Sequence, residues 1–396
     1  IDAFDKDNGD PFDLNISVGY ERIQKTGKIT RETTNINDLH PWDYYPKYEF
    51  ATFDHTQNIL NLKLDVGLFR DLSFRFGLPI ILSDDRSLKQ KDGWQTGETA
   101  LFSPTFKSPQ RSGIDYISAG LYWNILDQTR KAQYPFLTVF LEGRFGVGDP
   151  LKAACASAST SDTTCTNDKA GISQNLNQLH LGLHFSRRYG IVEPYMGIDG
   201  MLGWYKNEDF TMQSGSLNHM PPLQGTFDFG MEITPWEIPA EYRKFVISFG
   251  GGATYVSEGR TYTPLFDALG TSKYFKTDEN ADINDSGVTG DIPEETLAAD
   301  AWNGMTDVEN YTVFFGKLNL SIQPAKYVKF NLGVNLGHEL EHFITKTDQC
   351  PAGKVVNGEC SEYNPGHRPE IDKPGTRFRA ENTFVWSLLL DAVAQF

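Results

Sequence analysis

The sequence predicts an all-β fold: a transmembrane antiparallel up-and-down β-barrel of about twelve strands, with short turns at one end and six long loops at the other. Three observations predict it. Apolar residues recur at every second position in one segment after another, the period of a strand with a single greasy face. The connections between those segments alternate between short and long. And the 396-residue chain is polar on average, with 39% hydrophobic residues and a mean hydropathy of -0.42, yet carries 27 Phe, 17 Tyr, 7 Trp and 36 Gly. No run approaches the ~20 apolar residues of a membrane-spanning helix. In a barrel, lipid-facing and lumen-facing residues alternate and the mean conceals both.

The first hairpin shows the pattern. "ILNLKLDVGLF" sets Leu60, Leu62, Leu64, Val66 and Leu68 on one face, with Asn61, Lys63 and Asp65 on the other. After a short break, "LSFRFGLPIIL" aligns Leu72, Phe74, Phe76, Leu78, Ile80 and Leu82 opposite Ser73, Arg75 and Gly77. Two alternating runs across so short a break read as a hairpin. The unit recurs in "GIDYISAGLYWNIL" and "PFLTVFLEGRFGVG", in "LNQLHLGLHFSRR" and "EPYMGIDGMLGWY", in "LQGTFDFGMEIT" and "KFVISFGGGATYV", and in "YTVFFGKLNLSIQ" and "YVKFNLGVNLG". "LNISVGYERIQ" near the start and "NTFVWSLLLDAVAQF" at the end complete the set. Each run reaches the ~9–11 residues that a tilted strand needs to cross a bilayer.

The long connections fall at 25–55, 84–112, 149–175, 206–222, 257–308 and 339–379, and residues 13–396 read as one barrel preceded by a short periplasmic segment, 1–12. Short turns in the periplasm and long loops outside are the expected orientation, and an even strand count places both termini on the short-turn side. "IDAFDKDNGDPFDL" has neither a basic start nor an apolar stretch, so an export signal is expected to have been removed on maturation. A soluble sandwich also alternates. It buries one face of each sheet and wets the other, so three features decide for the barrel. The apolar faces are continuous for five or six residues. Strands in lipid pair all their backbone groups only by closing. And the opposite faces carry Lys63, Asp65, Arg75, Glu142, Arg144, Lys317 and Lys329, which a dry core does not tolerate unpaired. Together with Asp115 these are the candidate lumen-facing residues.

The closing segment carries the resemblance. Phe384, Trp386, Leu388, Leu390, Ala392, Ala394 and Phe396 share one side of a strand, and Phe396 is the last residue. This resembles the C-terminal signature of Gram-negative outer-membrane β-barrel proteins. The resemblance implies an integral outer-membrane location, contact with outer-membrane lipids, a last strand sealed against the first, and recognition of Phe396 by the barrel-insertion machinery.

The four cysteines form the evenly spaced pairs Cys155/Cys165 and Cys350/Cys360, each in a polar stretch. Local disulfides are expected, which places the chain in an oxidising compartment. The net charge of -16 argues against nucleic acid as a partner. "HELEH", from His338 to His342, matches a zinc-protease pattern that requires a helix; on a strand the two imidazoles stand about 13 Å apart, too far for one metal. His180 and His184 face the lumen by parity, as solvated fillers and not as catalysts. "FGGGATY" lies inside a strand, where glycines mark a bend or a close approach.

The segment 257–307 holds eleven acidic residues against three basic ones. Within it Asp282, Asn284 and Ser286 stand at EF-hand positions, with Asp291 and Glu294 further on, although Pro293 occupies the place of the last ligand. A Ca²⁺ site in 278–294 and a merely solvated acidic loop are both open at this level. No other cofactor is expected.

The polar, charged inner face points to a passive, porin-like channel for small polar solutes, with no enzymatic role. The alternative is a structural or docking barrel whose loops hold a partner protein or lipoprotein of the cell envelope. A membrane-embedded hydrolase, resting on "HELEH", is the remote alternative. Calorimetric titration with Ca²⁺ separates the two readings of the acidic loop: a binding heat that Asp282→Asn abolishes establishes the site, and no heat with the loop intact leaves a solvated acidic segment.

Overall fold

The computed structural model describes residues 13–33, 46–69, 71–91, 101–102, 106–155, 171–206, 218–272, 303–350, 354–356, 359–361, 364 and 366–396. Twelve strands make the barrel: β1 (Leu14–Glu32), β2 (Lys47–Phe69), β3 (Leu72–Gln90), β4 (Tyr116–Leu126), β5 (Phe136–Gly146), β6 (Leu176–Ser186), β7 (Val192–Tyr205), β8 (Gln224–Ile238), β9 (Arg243–Val256), β10 (Tyr311–Ala325), β11 (Val328–Glu339) and β12 (Phe378–Gln395). Each pairs antiparallel with the next, and β12 pairs back onto β1 from Asn15↔Gln395 to Arg31↔Phe378. The sheet therefore closes. A strand assembly in hydrocarbon can satisfy its backbone N–H and C=O groups in no other way, because an open edge has no water to bond to.

The outward side chains form an apolar belt. Ile16, Val18, Leu121, Leu141, Leu181, Leu183, Ile198, Phe227, Phe249 and Leu318 are all exposed on it. Exposed aromatics frame the belt at both ends: Phe69, Trp123, Tyr189, Trp236, Tyr242, Tyr327 and Phe396 near the short turns, and Trp204, Tyr255, Phe314 and Phe384 towards the long loops. Such girdles sit at the two membrane interfaces. The chain is an integral outer-membrane β-barrel.

Four strands run well past a single crossing. β1, β2, β3 and β12 contain 19, 23, 19 and 18 residues, against the ~9–11 needed. They occupy parts of 25–55, 84–112 and 339–379 and raise a wall on the long-loop side. In β12 a bulge helps. Asn382 takes φ 48°, and the register against β1 slips between Thr26↔Phe384 and Lys28↔Glu381. Phe384 below the bulge then faces lipid, while Ala380 and Phe378 above it lie opposite Ile29 and Arg31 and are buried.

The long loops fold against this wall. Ile29, Phe50, Ala51, Phe53, Phe378 and Ala380 from the strands pack with Leu101, Phe102, Phe106, Leu265, Leu269, Ile344 and Ile371 from three different connections. Phe50, Phe102 and Phe378 meet at ring distances of 4.9 to 5.8 Å. A water-excluding core of soluble type thus sits at the barrel mouth as a lid. Ion pairs tie it down. Arg111, between β3 and β4, donates two hydrogen bonds to Asp267 at 3.0 and 2.6 Å, and both side chains are almost fully buried. Glu32, at the end of β1, accepts from Gly375 N and from two nitrogens of Arg377 at 2.9 to 3.0 Å.

Of the expected disulfides, Cys350–Cys360 is formed. Cys155 is disulfide-bonded, and Cys165 lies outside the described residues. Asp267→Ala removes the carboxylate from a buried guanidinium, a change that costs about 3–5 kcal/mol. Hydrogen exchange should show 257–272 losing protection by that amount, while heat-modified mobility in SDS shows the barrel itself still closed.

Candidate functional site

The candidate site is the lumen, built by the face of each strand that points away from lipid. Asp65 and Arg75 lie directly opposite each other on β2 and β3, and Arg75 Nε donates to Asp65 Oδ1 at 2.5 Å. The guanidinium lies over the Tyr122 ring on β4, 4.2 Å from its centre. The Tyr122 hydroxyl donates to Glu142 Oε2 at 2.8 Å, and Arg144 Nε donates to Glu142 Oε1 at 3.0 Å. The Tyr122 ring stacks on Phe140 at 5.3 Å. Phe140 in turn meets the edges of His180 and His184 at 4.9 and 5.6 Å, and His180 Nε2 lies 2.8 Å from Asp199 Oδ1. One continuous network of ion pairs and stacked rings therefore lines the wall from β2 to β7.

This network bounds a cavity of about 600 Å³, lined also by Glu21, Asn61, Lys63, Tyr116 and Ser118. Among the described residues Lys63 makes no ion pair. A second cavity of about 290 Å³ is lined by Ser186, Glu193, Tyr195, Asp228, Glu232, Ser248 and Lys317. There Lys317 pairs with Asp228 and stands 5.0 Å from the centre of the Tyr195 ring. Thr138 and His184 line both cavities, so the two adjoin. His184 is exposed although it points inward, which marks the lumen as a wet space.

The glycines serve close approach. A Cβ on Gly230 would run into the Tyr195 ring, one on Gly250 into the Tyr195 hydroxyl, and one on Gly182 into the Phe140 ring. Tyr195 and Phe140 thus approach bare backbone on neighbouring strands, where any larger residue would push them towards the cavities.

The candidates separate as follows. Lys63, Arg75, Glu142 and Arg144 line the larger cavity, with Asp65 behind Arg75, and Lys317 lines the smaller. Lys329 lies near Glu232 and Lys244. Asp115 sits above the cavities, where its carboxylate accepts from Gln174 N at 2.9 Å and holds the β5–β6 connection. Asp282, Asn284, Ser286, Asp291 and Glu294 lie outside the described residues.

"HELEH" is extended. His338, one residue before the end of β11, lies on its outer, exposed face between Phe314 and Phe384. Glu339 turns inward and pairs with Lys25 at 2.8 Å. His342 is buried in a short strand beside β12 and stacks on Tyr311 at 3.8 Å. Among the described residues no group of three His, Cys, Asp or Glu side chains is placed to hold a metal ion.

Sequence reasoning missed the stack of Tyr122, Phe140 and the two histidines. Its signal was present: Phe140 has the same parity as Glu142 and Arg144. It missed the lid for a better reason, since Leu101, Phe102, Phe106 and Leu269 follow no strand period.

No family model matches this chain, and no curated protein matches it. Among solved structures, it is similar to an outer-membrane channel from Pseudomonas putida F1 (12% identity, TM-score 0.42, 97% of this chain and 95% of that one). It is also similar to a FadL homologue from Pseudomonas aeruginosa (10%, TM-score 0.36, 97% and 90%). A third is the outer-membrane protease OmpT from Escherichia coli (8%, TM-score 0.27, 97% and 96%).

The lid above the lumen contains two buried groups that tie its stability to pH in opposite senses. Asp372 accepts from Thr347 N at 3.0 Å and Arg368 N at 2.8 Å, and burial pushes its carboxyl up to about 7, with Asp307 adding to the rise and Arg368 opposing it. Unfolded, it would titrate near ~4. Between those values the folded lid holds a proton that the unfolded chain does not, so this group makes the lid less stable as pH rises through that window. Burial lowers His367, whose Nδ1 lies 2.7 Å from Thr347 O. Its contribution has the opposite sign, lost as pH falls below ~6.5. Limited proteolysis of 340–377 across pH 4–8 should show Asp372→Asn removing the first slope and His367→Gln the second.

Proposed function

We propose that this protein is a passive channel for small polar solutes, with a lumen that a folded lid narrows from the outer side. The observation that carries the reading is the pair of adjoining polar cavities inside a closed barrel, about 600 and 290 Å³. Volumes of this order admit small molecules. The ion pairs from Arg75–Asp65 to Lys317–Asp228 supply donors and acceptors of both signs, which can replace part of a solute's hydration shell as it passes. Pairing of these charges with one another weakens the hold that each has on a passing solute. The described parts of the long loops bury apolar side chains in the lid, which favours a channel over a barrel whose loops dock a partner.

Purified protein in planar bilayers should give small, discrete conductance steps, and proteoliposomes should swell in solutes of amino-acid or monosaccharide size. The double variant Arg75→Ala/Asp65→Ala widens the larger cavity without leaving a lone charge and should raise the step size, by roughly the added cross-section. Bilayers that stay silent, together with liposomes that never swell, would overturn the reading.

A further inference from the structure

The lipid-facing surface carries a groove of about 580 Å³ at the seam where the first strand meets the last. Its lining includes Val18 and Tyr20 of β1, Ile322 of β10, Phe330 and Leu332 of β11, and Leu390 of β12. Most of these point away from the lumen and are widely exposed: Val18, Phe330 and Leu390 at 48% each and Ile322 at 43%. The groove lies near the short turns. Val18 is close to the start of β1 at Leu14, Phe330 close to the start of β11 at Val328, and Ile322 close to the end of β10 at Ala325. It is therefore level with the periplasmic leaflet of the membrane.

A cation stands beneath it. In the turn between β10 and β11, Lys326 Nζ lies 5.5 and 5.1 Å from the ring centres of Tyr242 and Tyr327, both exposed residues of the lower girdle. Among the described residues Lys326 makes no ion pair. The neighbouring Arg243 pairs with Glu241 at 2.7 Å and donates to Pro324 O at 3.1 Å. Lys326 is four residues from both Ile322 and Phe330. At ~3.3 Å per residue that is ~13 Å along a strand, or ~10 Å along the membrane normal at the usual tilt. The headgroup layer is ~5–7 Å thick on each side, so an ammonium at the level of the phosphates leaves the groove inside hydrocarbon.

The geometry points to a seat for one phospholipid of the periplasmic leaflet, its acyl chain in the groove and its phosphate on Lys326. An apolar recess in the belt forfeits dispersion contacts unless something flexible fills it, and a lipid chain is what surrounds it. A second copy of the barrel is a poor filler. Two-fold pairing places a patch against itself, and two grooves face to face enclose a void.

Native mass spectrometry of the full chain, purified in mild detergent and incubated with phosphatidylethanolamine and phosphatidylglycerol, tests the seat. The expected result is one retained phospholipid per barrel. Leu332→Trp, which fills the groove, should abolish it. Lys326→Gln should lower occupancy roughly fivefold, the effect of one cation near a membrane surface, while leaving the weaker retention of diacylglycerol, which has no phosphate, unchanged. Heat-modified mobility in SDS confirms that each variant is folded. No adduct on the wild type, adducts equally retained by both variants, or a dimer that Leu332→Trp dissociates would each overturn the proposal, the last by assigning the groove to a second copy.

Discussion

Everything in this molecule depends on the pairing of backbone groups where no water can reach them. Each unmet N–H or C=O in hydrocarbon costs several kcal/mol, so the sheet must close, and closure makes its two termini neighbours. Leu14 and Phe396 exchange hydrogen bonds at 3.1 and 2.8 Å, and Gln395 N donates to Tyr327 O at 2.9 Å. The end of the last strand is held on both sides. A terminal strand that would fray in a soluble domain is here a structural seam, and the apolar ladder up to Phe396 covers it from the lipid side.

Closure also inverts the usual distribution of side chains. The belt outside is apolar because its solvent is apolar. The lumen inside is polar because it is wet, and its charges are paired across neighbouring strands, as in Asp65–Arg75, or along one strand, as in Glu142–Arg144. A core of soluble type forms only beyond the membrane, where water surrounds the loops and burial of Phe50, Phe102, Leu269 and Phe378 is again favourable. The barrel and its lid thus follow the same physics under two solvents. The lumen between them takes its shape from both: the wall presents the polar groups, and the lid limits access to them.

Barrel closure, the strand count and the face on which most residues of a strand lie were legible in the sequence, because period two assigns every residue of a strand to one face or the other. Lys63, Arg75, Glu142, Arg144 and Lys317 needed only that rule. It fails where the backbone departs from regular pleating. Asn382, at φ 48°, adds a residue to β12 and resets the parity of Phe378 and Ala380, and Asp115 stands where β4 has not yet begun, so its carboxylate serves a loop.

What the tertiary structure alone decided is what meets across distance. Nothing local links Arg111 to Asp267, or Phe102 to Phe50 and Phe378, since these contacts join loops separated by whole hairpins. "HELEH" has the letters of a metal site, but pairing with β10 and β12 holds it extended and sends His338 and Glu339 to opposite faces. The sequence by itself determined which faces meet lipid and which meet water, since that depends on alternation along one strand. Curvature, register and loop packing determined the rest, because cavities, lid and outer groove are properties of strands that are neighbours in space and not along the chain.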